Sequence, residues 1–207
     1  MPFMAPHIRH FVFDVGRVLI HYDPNIPFRR ILPDDAERAW FFTHVCTPAW
    51  NLEQDRGRSW ADAEAEAIAR HPEYEAPIRA FRRHWHEMVS HTYADSVAIV
   101  ERLLAAGHDV TLLTNFAPDT FAEATARFPV LGKTRGATVS GHIRLIKPDA
   151  AIYAHHARTF GLDGAATLFV DDVAANVETA RAAGWHAVRF VDAATLATDL
   201  AGYGIAV

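Results

Sequence analysis

Phe11-Val12-Phe13 closes on Asp14, and Leu168-Phe169-Val170 closes on Asp171-Asp172. Each is a short apolar run of the kind that forms a strand buried on both faces of a parallel sheet. A carboxylate beside such a strand is costly unless something cationic compensates it. In open parallel sheets the C-terminal strand ends converge on one crevice, where ligands bind. If the two runs are neighbouring strands, three carboxylates point into one pocket, and that pocket attracts a divalent cation.

Between and beyond these runs the chain alternates strand and helix from about residue 93 onward. Ser96 to Ala106 carries Val97, Val100, Leu103 and Leu104 at helical spacing, with Gly107 as the C-terminal cap. Val110 to Leu113 is a short buried strand ending in Thr114-Asn115, and Pro118-Asp119 suits the first turn of a helix running to about Phe128. A looser β region is expected over Ala137 to Ile146. Lys147-Pro148-Asp149 then opens a helix with Ile152, Tyr153, His156 and Phe160 on one side, closed by Gly161. Thr167 to Val170 is a strand, Ala174 to Ala183 a helix ended by Gly184, and Trp185 to Val191 a last strand. Repeated units of this length indicate an α/β fold with a doubly wound, Rossmann-like parallel sheet.

Residues 22 to 91 read differently. Ser59 with Asp62 three positions on resembles a capping box, and Ile78, Phe81, Trp85 and Met88 mark an amphipathic helix behind Pro77. No convincing strand is found there. The expected organisation is a discontinuous core, residues 1–20 and 92–207, with an all-helical cap over residues 21–91.

The chain has 207 residues, half of them apolar and 22% charged, which suits one soluble domain with a modest insertion. A net charge of −5 offers no basic surface for nucleic acid or an anionic membrane. Cys46 is alone, so no intramolecular disulfide forms, and a small buried hydrophobe is its expected role. Met1 to His10 lacks the apolar segment and cleavage site of a signal peptide, and no run is long enough to span a membrane. A cytoplasmic protein is expected. Oligomeric state is not readable, because exposed and interface-forming apolar positions look alike in one sequence.

Four islands fall at strand ends or helix starts: Asp14, Thr114-Asn115, Lys147 and Asp171-Asp172. An aspartate attacks phosphorus or carbon when its charge is held in place and its target is electrophilic. A hydroxyl and a backbone N–H at a helix start suit phosphate oxygens, and a lysine neutralises the charge that collects there. Two like charges ~4 Å apart cost roughly 4 kcal/mol at an effective dielectric near 20. Three carboxylates facing a phosphate dianion repel several times over, more than one lysine offsets. Mg²⁺ does offset it, and carboxylates are the hard oxygen ligands it prefers.

Phe13-Asp14-Val15-Gly16-Arg17-Val18-Leu19, Leu113-Thr114-Asn115, Lys147-Pro148 and Val170-Asp171-Asp172 with Asn176 resemble motifs I to IV of the haloacid dehalogenase (HAD) superfamily. The resemblance spans the core, and the insertion matches the cap position of its helical-cap subfamily I. Within the superfamily the chain looks most similar to bacterial phosphatases of the α-glucose-1-phosphate type, which also carry Asp-x-Gly in motif I. The resemblance implies a Mg²⁺-dependent phosphatase acting on a small phosphorylated molecule, possible sugar phosphates included. Asp14 is then the nucleophile that forms an aspartyl-phosphate. Asp14, the Gly16 carbonyl and Asp172 hold the metal, with Asp171 and Asn176 in support. Thr114 and the Asn115 amide hold phosphate, and Lys147 bridges nucleophile and phosphate.

Most phosphatases of the superfamily place a second aspartate, the general acid and base, where this chain has Gly16. Such catalysis is typically worth ~10²–10⁴ in rate, so a preference for weakly basic leaving groups (anomeric, acyl or aryl phosphates) is expected. Arg17 reads either as a cationic clamp on substrate or as a solvated arginine on the flap after the strand. The 13 histidines show no i, i+4 helical pair, so no histidine metal site is expected, while His21 and Tyr22 are placed to line the cap–core crevice. Two other functions fit parts of the pattern. A 2-haloacid dehalogenase uses the same aspartate without metal, but its monoanionic substrate gives no reason for an acidic pair. A non-catalytic phosphate-binding domain would explain Gly16. A signalling receiver shares the residue types but carries its acidic pair on the first strand, the reverse of the order here.

Overall fold

The computed structural model describes residues 7–207; the rest of the N-terminal stretch read for a signal peptide lies outside the described residues. Five strands form one parallel sheet in the order β3-β2-β1-β4-β5. They are β1 (His10–Phe13), β2 (Asp109–Thr114), β3 (Ala137–Val139), β4 (Thr167–Asp171) and β5 (His186–Arg189). The two runs that opened the sequence reading are neighbours: Phe13 is in register with Val170 on one side and with Leu112 on the other. Chain order runs outward from β1 through β2 to β3, then returns to β4 and β5. The strand order therefore reverses beside β1, where a doubly wound sheet opens its crevice.

Strand alternation divides the core in two. Phe11, Phe13, Leu112 and Val170 point to one face, while Val12, Leu113 and Phe169 point to the other and pack on Ile152, Tyr153, Val177 and Trp185. The three apolar residues that end β1 are completely buried, which explains why that segment reads as a continuous apolar run.

Between β1 and the helix Ala94–Ala105 lie six α-helices: Asn25–Ile31, Asp35–His44, Pro48–Asp55, Trp60–Arg70, Glu75–Arg83 and Trp85–Met88. Among the described residues no strand occurs in this segment. Asp34, Thr47 and Ser59 cap their helices by accepting the N–H of Glu37, Trp50 and Asp62. Aromatic packing fills the interior of the cap, with Phe28 on Phe41 at 5.4 Å and Trp50 on Phe81 at 5.3 Å between ring centroids. The cap's entry and exit run side by side. His21 N–H donates to His91 O and Asp23 N–H to Met88 O, both at 2.9 Å.

Three elements differ from the sequence reading. The amphipathic helix behind Pro77 is two helices, broken at His84; all four of its apolar markers are buried, and the break turns Trp85 toward Phe116, ring centroids 5.8 Å apart. The β region expected to reach Ile146 stops at Val139, and Ser140–Ile143 is a single helical turn. That turn exists because the Ser140 hydroxyl accepts the Phe116 N–H and Gly141 packs against Pro118, where a Cβ would stand 2.6 Å from the proline Cδ. A C-terminal helix, Ala193–Gly202, was not delineated from sequence; Asp192 caps it and Leu196 and Leu200, one turn apart, bury its inner face. No helix of the described residues is long and apolar enough to cross a membrane.

Candidate active site

All four islands meet at the C-terminal edge of the sheet. Asp14 follows β1, Thr114 ends β2, and Asp171 ends β4 with Asp172 next to it. Lys147 arrives from the loop before the helix Ala150–Phe160 and is buried. Its Nζ lies 2.8 Å from Asp14 Oδ1 and donates to Asp171 Oδ2 at 2.6 Å. Oxygens of Asp14, Asp171 and Asp172 lie within 4.8 Å of one another, the one such grouping of metal-ligating side chains among the described residues.

The three carboxylates are not equivalent. Asp171 is fully enclosed and takes hydrogen bonds from Lys147 Nζ, from Asn176 Nδ2 at 2.9 and 3.0 Å, and from the Val173 N–H at 2.8 Å. It is occupied by its own neighbours. Asp14 accepts the Val15 N–H at 2.7 Å, and Asp172 is only half-buried. Burial raises the Asp14 carboxyl above its ordinary range; Lys147 works against this and Asp171 adds to it. Asp172 is raised for the same first reason, with Asp171 adding, and Arg17 and Lys147 opposing. Burial would pull the Lys147 ammonium down, but Asp14 and Asp171 outweigh it and hold its pKa up. One lysine thus faces three carboxyls, and two of them are uneasy as anions. That donor set fits a divalent cation beside Asp14 and Asp172, since Asp171 is already taken up by Lys147, Asn176 and the Val173 N–H.

Asn115 differs from a free phosphate ligand in its side chain. Oδ1 accepts the Lys147 N–H at 2.8 Å and Nδ2 donates to Lys147 O at 3.0 Å, so the side chain brackets the lysine's backbone. Thr114 is buried at the strand end. Arg17 is exposed at the rim in the left-handed region (φ 60°), with its guanidinium 5.9 Å from the Tyr22 ring centre. Gly16 has a different character: a Cβ built there meets no atom within 4 Å.

Above these residues the cap closes a cavity of about 200 Å³. Tyr22, Trp60, Trp85 and Phe116 form its apolar walls, and Asn51 and Asp55 bring polar groups from the cap. Tyr22 lines the crevice as expected. His21 stacks instead on His91 at 4.7 Å in the neck of the cap. His156 is sealed between Thr111 and Thr138, and burial drives its pKa down to about 3. Asp55 and Trp60 were not singled out from sequence, and Trp85 was read only as a marker of a helix face. Their only local signals are a helix end before Gly57 and apolar periodicity, neither of which reports what the side chain faces.

A family model for haloacid dehalogenase-like hydrolases matches residues 8–184. The chain belongs to that family. It is therefore an enzyme of the HAD-like hydrolase class, and solved structures share its fold. A HAD-like family hydrolase from Porphyromonas gingivalis is 22% identical over 88% of this chain and 91% of its own, with a TM-score of 0.69. A HAD family enzyme from Bacteroides thetaiotaomicron, solved with magnesium and inorganic phosphate, is 20% identical over 88% and 93%, TM-score 0.68. The L-2-haloacid dehalogenase of Xanthobacter autotrophicus, solved with chloropropionic acid covalently bound, is 21% identical over 97% and 85%, TM-score 0.64. At such identities the likeness is one of fold, and it spans both phosphate and carbon chemistry.

Proposed function

We propose that this HAD-like hydrolase is a Mg²⁺-dependent phosphatase that hydrolyses a small phosphomonoester through an aspartyl-phosphate on Asp14. The carrying observation is the charge balance on the crevice floor, where three carboxyls within 4.8 Å face a single lysine. A monoanionic haloacid would add charge there with nothing gained. A divalent cation and a phosphoryl group balance it. The magnesium and phosphate of the Bacteroides enzyme agree with this choice.

Lys147 and the Val15 N–H hold Asp14 Oδ1, which directs Oδ2 toward phosphorus. The Thr114 hydroxyl, the Asn115 N–H and Lys147 Nζ orient the phosphoryl oxygens. Bound to Asp14, Asp172 and the Gly16 carbonyl, Mg²⁺ would supply charge neutralisation and in-line alignment. The small aromatic cavity suits a compact leaving group such as a sugar, in keeping with the resemblance to α-glucose-1-phosphate-type phosphatases. Asn51 and Arg17 are among the polar groups that line it.

The test is phosphate release from a panel of phosphate esters, with Mg²⁺ or with EDTA, for wild type and Asp14→Asn. Metal-dependent release that Asp14→Asn abolishes is expected. Release surviving that substitution overturns the mechanism. Chloride release from 2-chloropropionate in EDTA, without phosphate release, establishes the dehalogenase instead.

A further inference from the structure

Position 16 has no side chain to serve as acid, but the cap puts a carboxyl into the same cavity. Asp55 ends the helix Pro48–Asp55 and lines the cavity together with Gly16, Asn115 and Asp172. Its place is set by a clasp between cap and core. The Ser140 hydroxyl donates to Asp55 O at 2.5 Å and accepts the Phe116 N–H at 2.9 Å, so one side chain joins the cap to the loop after β2. Beside it two glycines meet: a Cβ on Gly57 (φ +98°) would stand 3.0 Å from Gly141 O, and one on Gly141 would stand 2.8 Å from Phe116 O. A side chain on Gly57 would press the cap loop against the core, and one on Gly141 would push its turn off Phe116 and Pro118.

The groups facing Asp55 come from several elements. They are Asp14 after β1, Tyr22 from the neck, and the Ala117 N–H at the start of the helix Pro118–Arg127, with Arg17 and Asp172 on the cavity wall. Among the described residues no lysine or arginine pairs with Asp55. Burial pushes its carboxyl up to about 7; the Ala117 amide opposes this and Asp14 adds a smaller push in the same direction. A carboxyl in that range exchanges protons at neutral pH.

We propose that Asp55 is the general acid and base of this enzyme, delivered by the cap in place of the carboxyl missing at position 16. The proposal rests on the phosphatase reading above and revises the expected preference for weakly basic leaving groups. In the first step Asp14 Oδ2 bonds to phosphorus, the bond from phosphorus to the leaving oxygen breaks, and that oxygen takes the Asp55 proton. In the second step the Asp55 carboxylate takes a proton from water as the water oxygen bonds to phosphorus. The Asp14–phosphorus bond then breaks, releasing phosphate and leaving Asp55 protonated again.

The experiment compares a primary-alkyl phosphate with p-nitrophenyl phosphate, whose leaving group needs no proton, using wild type, Asp14→Asn, Asp55→Asn and Asp55→Asn with Gly16→Asp. Asp55→Asn is expected to lower kcat on the alkyl phosphate by about 10²–10⁴-fold. The same variant should still give a stoichiometric burst of nitrophenolate, followed by slow turnover with phosphorylated protein visible by intact mass. Gly16→Asp should restore alkyl turnover in that background, because the space at position 16 is open. Alkyl turnover within a few-fold of wild type, or loss on both substrates with neither burst nor rescue, overturns the role of Asp55. Wild type that releases no phosphate in an Asp14-dependent way overturns the phosphatase reading itself, and this proposal with it.

Discussion

On the crevice floor Asp171 is wholly enclosed and held by Lys147, Asn176 and the Val173 amide, whereas on the roof Asp55 has the Ala117 amide and, among the described residues, no paired cation. Asp55 lines the cavity while Asp171 lies sealed beneath it, and the two are held by opposite means. Buried charge is tolerated on the floor because a partner is built in, and such a carboxylate keeps its shape through a reaction cycle. The roof leaves its carboxyl with little compensation, so its proton becomes exchangeable. A fixed anion belongs where charge must stay put, and an unpaired one where protons move.

The largest expected effect breaks the floor. Lys147→Met leaves Asp14 and Asp171 facing each other without their shared cation, and losing one partner of a buried pair costs about 3–5 kcal/mol. Urea unfolding should show that loss together with abolished phosphate release. Unchanged stability would mean that the two carboxyls do not depend on Lys147. A smaller effect disturbs the joint between floor and roof. Gly141→Ala forces a methyl against Pro118 and Phe116 O, an overpacking cost of about 1–3 kcal/mol. It should also lower turnover, since Ser140 and Phe116 carry the loop that bears Asn115; a variant as stable and active as wild type would show that the clasp is loose.

The smallest effect concerns the roof alone. Asp55 holds its proton up to about pH 7 when folded but only to about 4 when unfolded. Folding therefore binds a proton between those values, and stability falls as pH rises through that window. Asp55→Asn should accordingly melt above wild type at pH 8 in EDTA, with the advantage gone near pH 4. A variant that melts below wild type at both pH values would show that the carboxyl is paired after all. Stabilisation on removing a functional group is common where a site is strained for its task.

The floor was readable in the sequence for a local reason. A buried parallel strand is a continuous apolar run, so a carboxylate at its end stands out, and sheet geometry places every such end on one edge. Asp14 and Asp171-Asp172 stand out this way, Thr114 ends a further apolar run and Lys147 precedes a helix, and the structure brings them to one edge. The division of labour among them was not. That Asn115 spends its side chain on Lys147, and that Asp171 is saturated while Asp172 stays half-open, depend on hydrogen bonds between segments far apart in the chain. The β region after Ala137 was overextended because Ser140 and Gly141 obey a tertiary contact rather than local periodicity.

Sequence alone determined the parallel α/β core, its helical insertion, and the edge of the sheet where an aspartate nucleophile would sit. It also showed what was missing beside that aspartate. Only the tertiary structure decided what stands over the gap. Asp55 is one acidic residue among many at helix ends, and its significance comes from a cap loop that docks on the core through Ser140 and two glycines. Strand ends are positioned by the periodic backbone hydrogen bonds of a single sheet, which leave a pattern in the sequence. A docked cap is positioned by side-chain packing between distant segments, which leaves none.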